Sequence, residues 1–146
     1  MTTTPARQPG CELCELSAPA VWQGEKFSVI LVDDAAYPGF CRVIWREHVR
    51  EMSDLAQEDR LLLNEAVYRV EQAVRETMQP LKVNVASLGN VVPHLHWHII
   101  PRHADDAHFP APVWAQAARQ TGESILAARR ALLPDLAAAI AKRFDE

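Results

Sequence analysis

Gly89–Arg102 reads GNVVPHLHWHIIPR, and its alternation decides how the rest of the chain is read. His94, His96 and His98 are spaced by two, so an extended strand projects all three from one face. Leu95, Trp97 and Ile99 project from the other face, where helices can bury them. Same-face neighbours on a strand stand roughly 6–7 Å apart, two rises of about 3.3 Å. One face is an apolar anchor and the other a row of imidazoles. A single histidine on a strand is usually a partly exposed polar residue without function. Three in alternation, each beside large apolar residues, are hard to obtain by chance.

Outward from this stretch, Lys82–Leu88 (KVNVASL) alternates as a strand, Gly89-Asn90 is a turn signal, and Leu95–Ile100 is a strand closed by Pro101. Upstream, Leu63, Ala66, Val67, Val70, Ala73, Val74, Thr77 and Met78 recur at three- and four-residue steps, which predicts a helix from about Gln57 to Gln79. Ser53 is its expected cap, Glu58 and Asp59 bring negative charge to its first turn, and Pro80 stops it. Before that helix, Gly24-Glu25 separates Ala20–Gln23 from Phe27–Val32, a hairpin pattern. Asp33–Gly39 is a turn and Phe40–Trp45 a third strand. After the histidines, the Pro-rich stretch 108–114 (HFPAPVW) is expected to run extended. Residues 127–144 form a terminal helix with Pro134 and Asp135 in its first turn. Strands, long helix, strands and helix in this order indicate an α+β fold: an antiparallel sheet of about five strands with one long and one C-terminal helix. The expected organisation is a loose tail over residues 1–10 and one domain over 11–146, with a C-terminal extension from about residue 103.

The chain has 146 residues, 49% hydrophobic and 23% charged, which is ordinary for a globular domain able to bury its own core. A formal charge of −4 and no long basic run argue against a nucleic-acid polymer as partner. A small phosphorylated ligand needs only local donors and stays open. Met1–Gly10 lacks the apolar stretch of a secretory signal, and no segment approaches the ~18 apolar residues of a membrane span, so the cytoplasm is the expected location. Three cysteines, two of them in Cys11-x-x-Cys14, do not make a disulfide scaffold.

Two chemistries suit the imidazole row. One is a metal site, since alternate histidines on a strand can share an ion and His103, Asp105 and His108 stand downstream as further ligands. The other is nucleophilic catalysis by the middle imidazole. The pattern His-apolar-His-apolar-His-apolar-apolar over His94–Ile100 matches the signature of the histidine-triad family, and the chain resembles that family over about residues 11–102. Asn84, the Gly89-Asn90 turn, Pro101-Arg102, the Pro38-Gly39 turn and Glu47-His48-Val49 share in the likeness, and HFPAPVW resembles a bacterial branch of it.

The resemblance implies a nucleotide hydrolase or transferase acting on a nucleoside phosphoramidate or dinucleoside polyphosphate. His96 would attack the α-phosphorus through Nε2, its Nδ1–H held by a backbone carbonyl. His98 would hydrogen-bond the phosphate or its bridging oxygen, His94 would complete the triad, and water would release a nucleoside monophosphate. Asp33 would meet the ribose, Asn84 and Asn90 would lie beside ribose or phosphates, and Gly89 would let the backbone approach or simply make the turn. No metal is required for this chemistry. Competing readings are a nucleotide-binding regulatory module with little turnover and a metal-dependent enzyme using the triad as ligands. Two positions depart from the family: Phe40 stands where many members carry a histidine, and Val91 where many carry Ser or Thr. Some bacterial members pair a CxxC with two histidines, which here would make Cys11, Cys14, His48 and His94 a structural zinc site. By itself the CxxC is chance, a redox pair or half such a site. Leu61, Leu62 and Leu63 are about 100° apart around the helix axis and cannot all face one sheet. Together with a free edge at Lys82–Leu88, and by resemblance, they imply a homodimer.

Overall fold

The chain turns back on itself at Gly24, where β1 (Trp22–Gln23) meets β2 (Phe27–Leu31) in an antiparallel pair. In the computed structural model, which describes residues 7–15 and 19–145, β3 (Cys41–Trp45), β4 (Lys82–Ala86) and β5 (His96–Arg102) complete a five-stranded sheet. The order is β1-β2-β3-β5-β4 and every pairing is antiparallel. Residues 1–6 of the expected tail lie outside the described residues.

Helix α1 (Gln57–Met78) buries Leu63, Ala66, Val70, Ala73, Val74 and Met78, the three- and four-residue steps of its apolar stripe. They pack on Phe27, Val29, Cys41, Val43, Trp45 and Ile99, so the helix covers one sheet face. Ser53 does not cap it. Met52–Asp54 is a separate 3-10 turn, closed by reciprocal bonds between Glu51 and Asp54, and Ala56 is the residue before α1. The break has a cause: Leu55 adopts extended backbone so that its side chain reaches the core. Gln79 ends the helix in the left-handed region, at φ 49°, and Pro80 cannot continue it.

The terminal helix is two helices, α2 (Glu123–Arg130) and α3 (Leu133–Phe144). Pro134 has no N–H to give Arg130, and its ring would clash with that carbonyl in a continuous helix, so α2 ends there. Leu136 and Ile140 of α3 join the core beside α1. Pro101 does not close the histidine strand but lies inside it, opposite Val83. Arg102 turns its carbonyl to Leu81, on the β4 side, so Pro101 turns its nitrogen toward β3, whose pairing with β5 ends at Cys41 and Ile99. No ladder bond is lost there.

Helices take one face of the sheet. On the other, the segment around Cys11–Cys14 packs on Ile30 and Ile44, and Val113, from the stretch after β5, packs beside Tyr37, Phe40 and Ile100. The stretch 108–114 folds rather than extends: the peptide before Pro110 is cis, and Ala111 N–H donates to His108. No helix among the described residues is long and apolar enough to cross a membrane.

Candidate active site

Strand β5 places His98 between Arg42 of β3 and Ala86 of β4, and His96 beside Ile44. Their rings are 4.8 Å apart, nearly perpendicular, on the face opposite the helices. Both are only 6% exposed, deeper than a solvent-facing row would be. Phe40 and Trp114 set edge-to-face contacts on His98, with centroids 5.6 and 5.5 Å away. The Nδ1–H of His96 donates to the carbonyl of His94 at 2.6 Å, and Ser87 donates to the carbonyl of His96 at 2.7 Å. Nε2 of His96 is thereby the nitrogen with a free lone pair.

Burial lowers the affinity of both rings for a proton. For His96 the bond to His94 works against this and Arg42 adds to it; for His98, burial, His96 and then Arg42 bring the value down to about 4. Both imidazoles are neutral near pH 7. Nδ1 of His98 is buried with no partner among the described residues, which puts its proton on Nε2.

His94 precedes the strand and does not share the row. Its Nε2–H donates to Trp45, and its Nδ1 turns to Cys11 Sγ at 3.5 Å and Cys14 Sγ at 3.4 Å; Cys14 Sγ is also 3.3 Å from His48 Nδ1. All four donor atoms lie within 4.8 Å of one another. A tetrahedral zinc with Zn–S of about 2.3 Å and Zn–N of about 2.0 Å sets S and N roughly 3.5 Å apart, so the donor set fits the ion. The bond to Trp45 fixes the tautomer that leaves Nδ1 free for it. His103, Asp105 and His108 are not in this cluster: Asp105 pairs with Arg129, and His108 meets Tyr37. Cys41 is apart as well, fully buried with its thiol pushed up to about 12.

At the far end of β5, Arg102 gives two hydrogen bonds to Asp106, one to Asn84 Oδ1 and one to the Ala111 carbonyl. Asp106 also accepts from the backbone of His103, His108 and Phe109 and from Tyr37. Burial alone pushes its carboxyl up, but these donors hold it well below the usual carboxylate range. Asn84 therefore has its oxygen engaged and its amide N–H groups to offer. Asp33 and Asn90 are exposed, and Gly89 takes φ +77° where a Cβ would meet only the Val92 carbonyl at an ordinary 3.8 Å, so its turn alone requires glycine. Val91 is 94% exposed, and Phe40 is buried beside His98. Sequence reading missed Arg42, Ser87, Asp106 and Trp114; only the exposed Trp114 in the Pro-rich stretch carried a local signal of aromatic use.

Fold and site define a class: an antiparallel α+β domain whose inner strand presents two neutral imidazoles, one with a free Nε2. The chain belongs to the HIT domain family, whose model matches residues 14–105. Among solved structures it is similar to histidine triad protein blr8122 from Bradyrhizobium japonicum, with 28% identity, TM-score 0.71, and coverage of 93% of this chain and 96% of that one. A histidine triad protein from Marinobacter aquaeolei VT8 is likewise 28% identical, with TM-score 0.70 and coverage of 93% and 99%. A zinc-bound histidine triad family protein from Mycobacterium smegmatis, 24% identical over 89% of this chain and 97% of its own, shares the fold with TM-score 0.58. No curated protein matches the sequence.

Proposed function

We propose that this chain cleaves at the α-phosphate of a nucleoside phosphoramidate or dinucleoside polyphosphate, with His96 as covalent nucleophile. The observation that carries the reading is the 2.6 Å bond from His96 Nδ1–H to the His94 carbonyl, which leaves Nε2 unprotonated beside His98. Nε2 attacks the phosphorus; a P–N bond forms and the bond to the leaving nitrogen or oxygen breaks. The departing group keeps that electron pair and takes a proton from water, while the Nε2–H of His98 hydrogen-bonds the bridging atom and stays on His98. Positive charge on the His96 ring is stabilised by the His94 carbonyl. Water then attacks the phosphorus, the P–N pair returns to Nε2, a proton goes to solvent, and a nucleoside monophosphate leaves.

Asp33, the Asn84 amide, Asn90 and the Gly89 turn are assigned to the ribose and phosphates. Cys11, Cys14, His48 and His94 would hold a structural zinc that ties the N-terminal segment to the sheet and takes part in no chemical step. A second copy of the chain is assigned to α1 and β4, where Leu61, Leu62, Tyr68 and Val85 are exposed beside a groove lined by Val67 and Val83.

The test is turnover of an adenosine phosphoramidate with chelator present, followed by intact-mass measurement without acid. A nucleotide adduct on wild type is expected, and His96→Ala should lose at least about 10³-fold in kcat with its circular dichroism preserved. Most of the activity surviving in the variant, or inversion at phosphorus during hydrolysis, sinks the covalent route.

A further inference from the structure

Arg42 stands opposite His98 in the β3–β5 register and opposite Ile30 in the β2–β3 register. Paired residues have Cα atoms about 4.5–5.5 Å apart and project from the same sheet face. Phe40, Arg42 and Ile44 alternate onto that face, which is the face of His96 and His98. Between buried Ile30 and Ile44 the packing calls for an apolar residue, yet the chain has a guanidinium there.

No carboxylate among the described residues touches that guanidinium: it makes no ion pair within 4.0 Å, and its Nε is buried without a hydrogen-bond partner. Glu12, exposed on the N-terminal segment, is the acid whose charge bears on it. Its position is held by Phe40, whose ring centroid is 5.9 Å from the guanidinium carbon. Arg102 shows the alternative: its guanidinium, just as close to an aromatic ring, is fully paired. An arginine that merely snorkels would carry its whole head group into water. Leaving a half-buried cation unpaired is costly unless an anion arrives to meet it.

We propose that Arg42 binds the non-bridging oxygens of the phosphoryl group attacked by His96, forming with His98 an anion subsite for nucleotide phosphate. The inference rests on the function proposed above and adds to it a substrate-binding residue. It also answers the two departures in the sequence, because Phe40 and exposed Val91 offer phosphate no donor, and a forked cation one rung from Phe40 does. Negative charge on the phosphoryl oxygens as the P–N bond forms meets a positive group already in place.

The experiment compares wild type, Arg42→Met, Arg42→Lys and His96→Ala. Calorimetry reads binding of AMP, adenosine and inorganic phosphate, and kinetics reads turnover of an adenosine phosphoramidate. Wild type should prefer AMP to adenosine, with phosphate competing; R42M should bind the two alike and lose about 10²–10³-fold in kcat/KM. R42K should fall between, keeping the charge without the fork. H96A should keep the AMP preference and lose turnover. An R42M protein with wild-type preference and rate overturns the subsite, as does a wild type that binds neither AMP nor phosphate. If R42M does not fold by circular dichroism, R42K decides, and unchanged preference and kcat/KM there overturn the subsite. The two readings fail separately. Loss of AMP preference in R42M without any turnover in wild type removes the covalent chemistry and keeps the subsite. A dead H96A beside an unaffected R42M does the reverse.

Discussion

Just before β5, His94 faces Cys11, Cys14 and His48 through lone pairs and thiols that a metal ion can draw together; at the end of β5, Arg102 faces Asp106 through groups that already satisfy one another. The first anchor joins an N-terminal segment to the sheet and, on the zinc site proposed above, depends on a bound ion. The second joins the stretch after β5 to the same sheet and is complete within the chain. His96 and His98 lie between the two, and each anchor also reaches the site. The carbonyl of His94 orients His96, and the segment that Asp106 gathers carries Trp114 to His98. An anchor of fixed charge and one of coordination should therefore fail under different conditions.

The largest effect expected is at the self-sufficient end. Asp106→Ala strips a buried arginine of its counter-charge and three backbone N–H groups of their acceptor, and breaking such a pair costs about 3–5 kcal/mol. Chemical denaturation should show that loss; a midpoint unchanged from wild type would mean that the network is incidental. Acid should then separate the strand's middle from this end. His98 titrates near 4 when folded against an ordinary 6.5, so the stability it contributes is complete above about pH 6.5 and is lost as pH falls toward 4. The loss reaches about 3 kcal/mol by linkage. Asp106, held well below the usual carboxylate range, stays charged throughout that window. In His98→Asn the slope of stability between pH 6.5 and 4 should flatten; an equal slope assigns it to other groups.

Removing metal should affect the other anchor and spare this one. Purified protein is expected to carry about one zinc per chain, and a chelator should lower the melting temperature by several degrees while freeing two thiols for titration. Cys14→Ser should make the protein indifferent to the chelator. Zinc-free protein, prepared without chelator and with both thiols reactive, would end the comparison by leaving His94 its bonds to Trp45 and His96 and no ion. The smallest effect lies outside both anchors. Leu62→Glu should shift a dimer toward monomer by light scattering without altering the melting of the single chain, because Leu62 is exposed on α1 while neighbouring Leu63 is buried. A wild type of one-chain mass at micromolar concentration removes the dimer itself.

Local pattern made much of this molecule legible. The two-residue period of His94–Ile100 separates Leu95 and Ile99 in the core from His96 and His98 on the face opposite the helices, and the helical period of α1 picks out Leu63, Val70 and Val74. The stop at Pro80 is equally local, since it follows from one residue's backbone limits, and so is Gly24, because a Cβ there would strike the ring of nearby Trp22. In the sequence only the family resemblance groups Cys11, Cys14, His48 and His94, and the structure brings their donor atoms together. What stayed hidden depends on which strands pair and in what register. Pro101 fits inside β5 because β3 has already ended beside it, and Ser53 is no cap because Leu55 must reach the core. His94 leaves the row because its ring is drawn between Trp45 and the cysteines, a contact across dozens of residues. Arg42 stands apart from the motif in sequence and becomes the neighbour of His98 only through the β3–β5 register. Alternation along one strand is written in one segment, but opposition across strands is a property of two, and only the folded sheet chooses it.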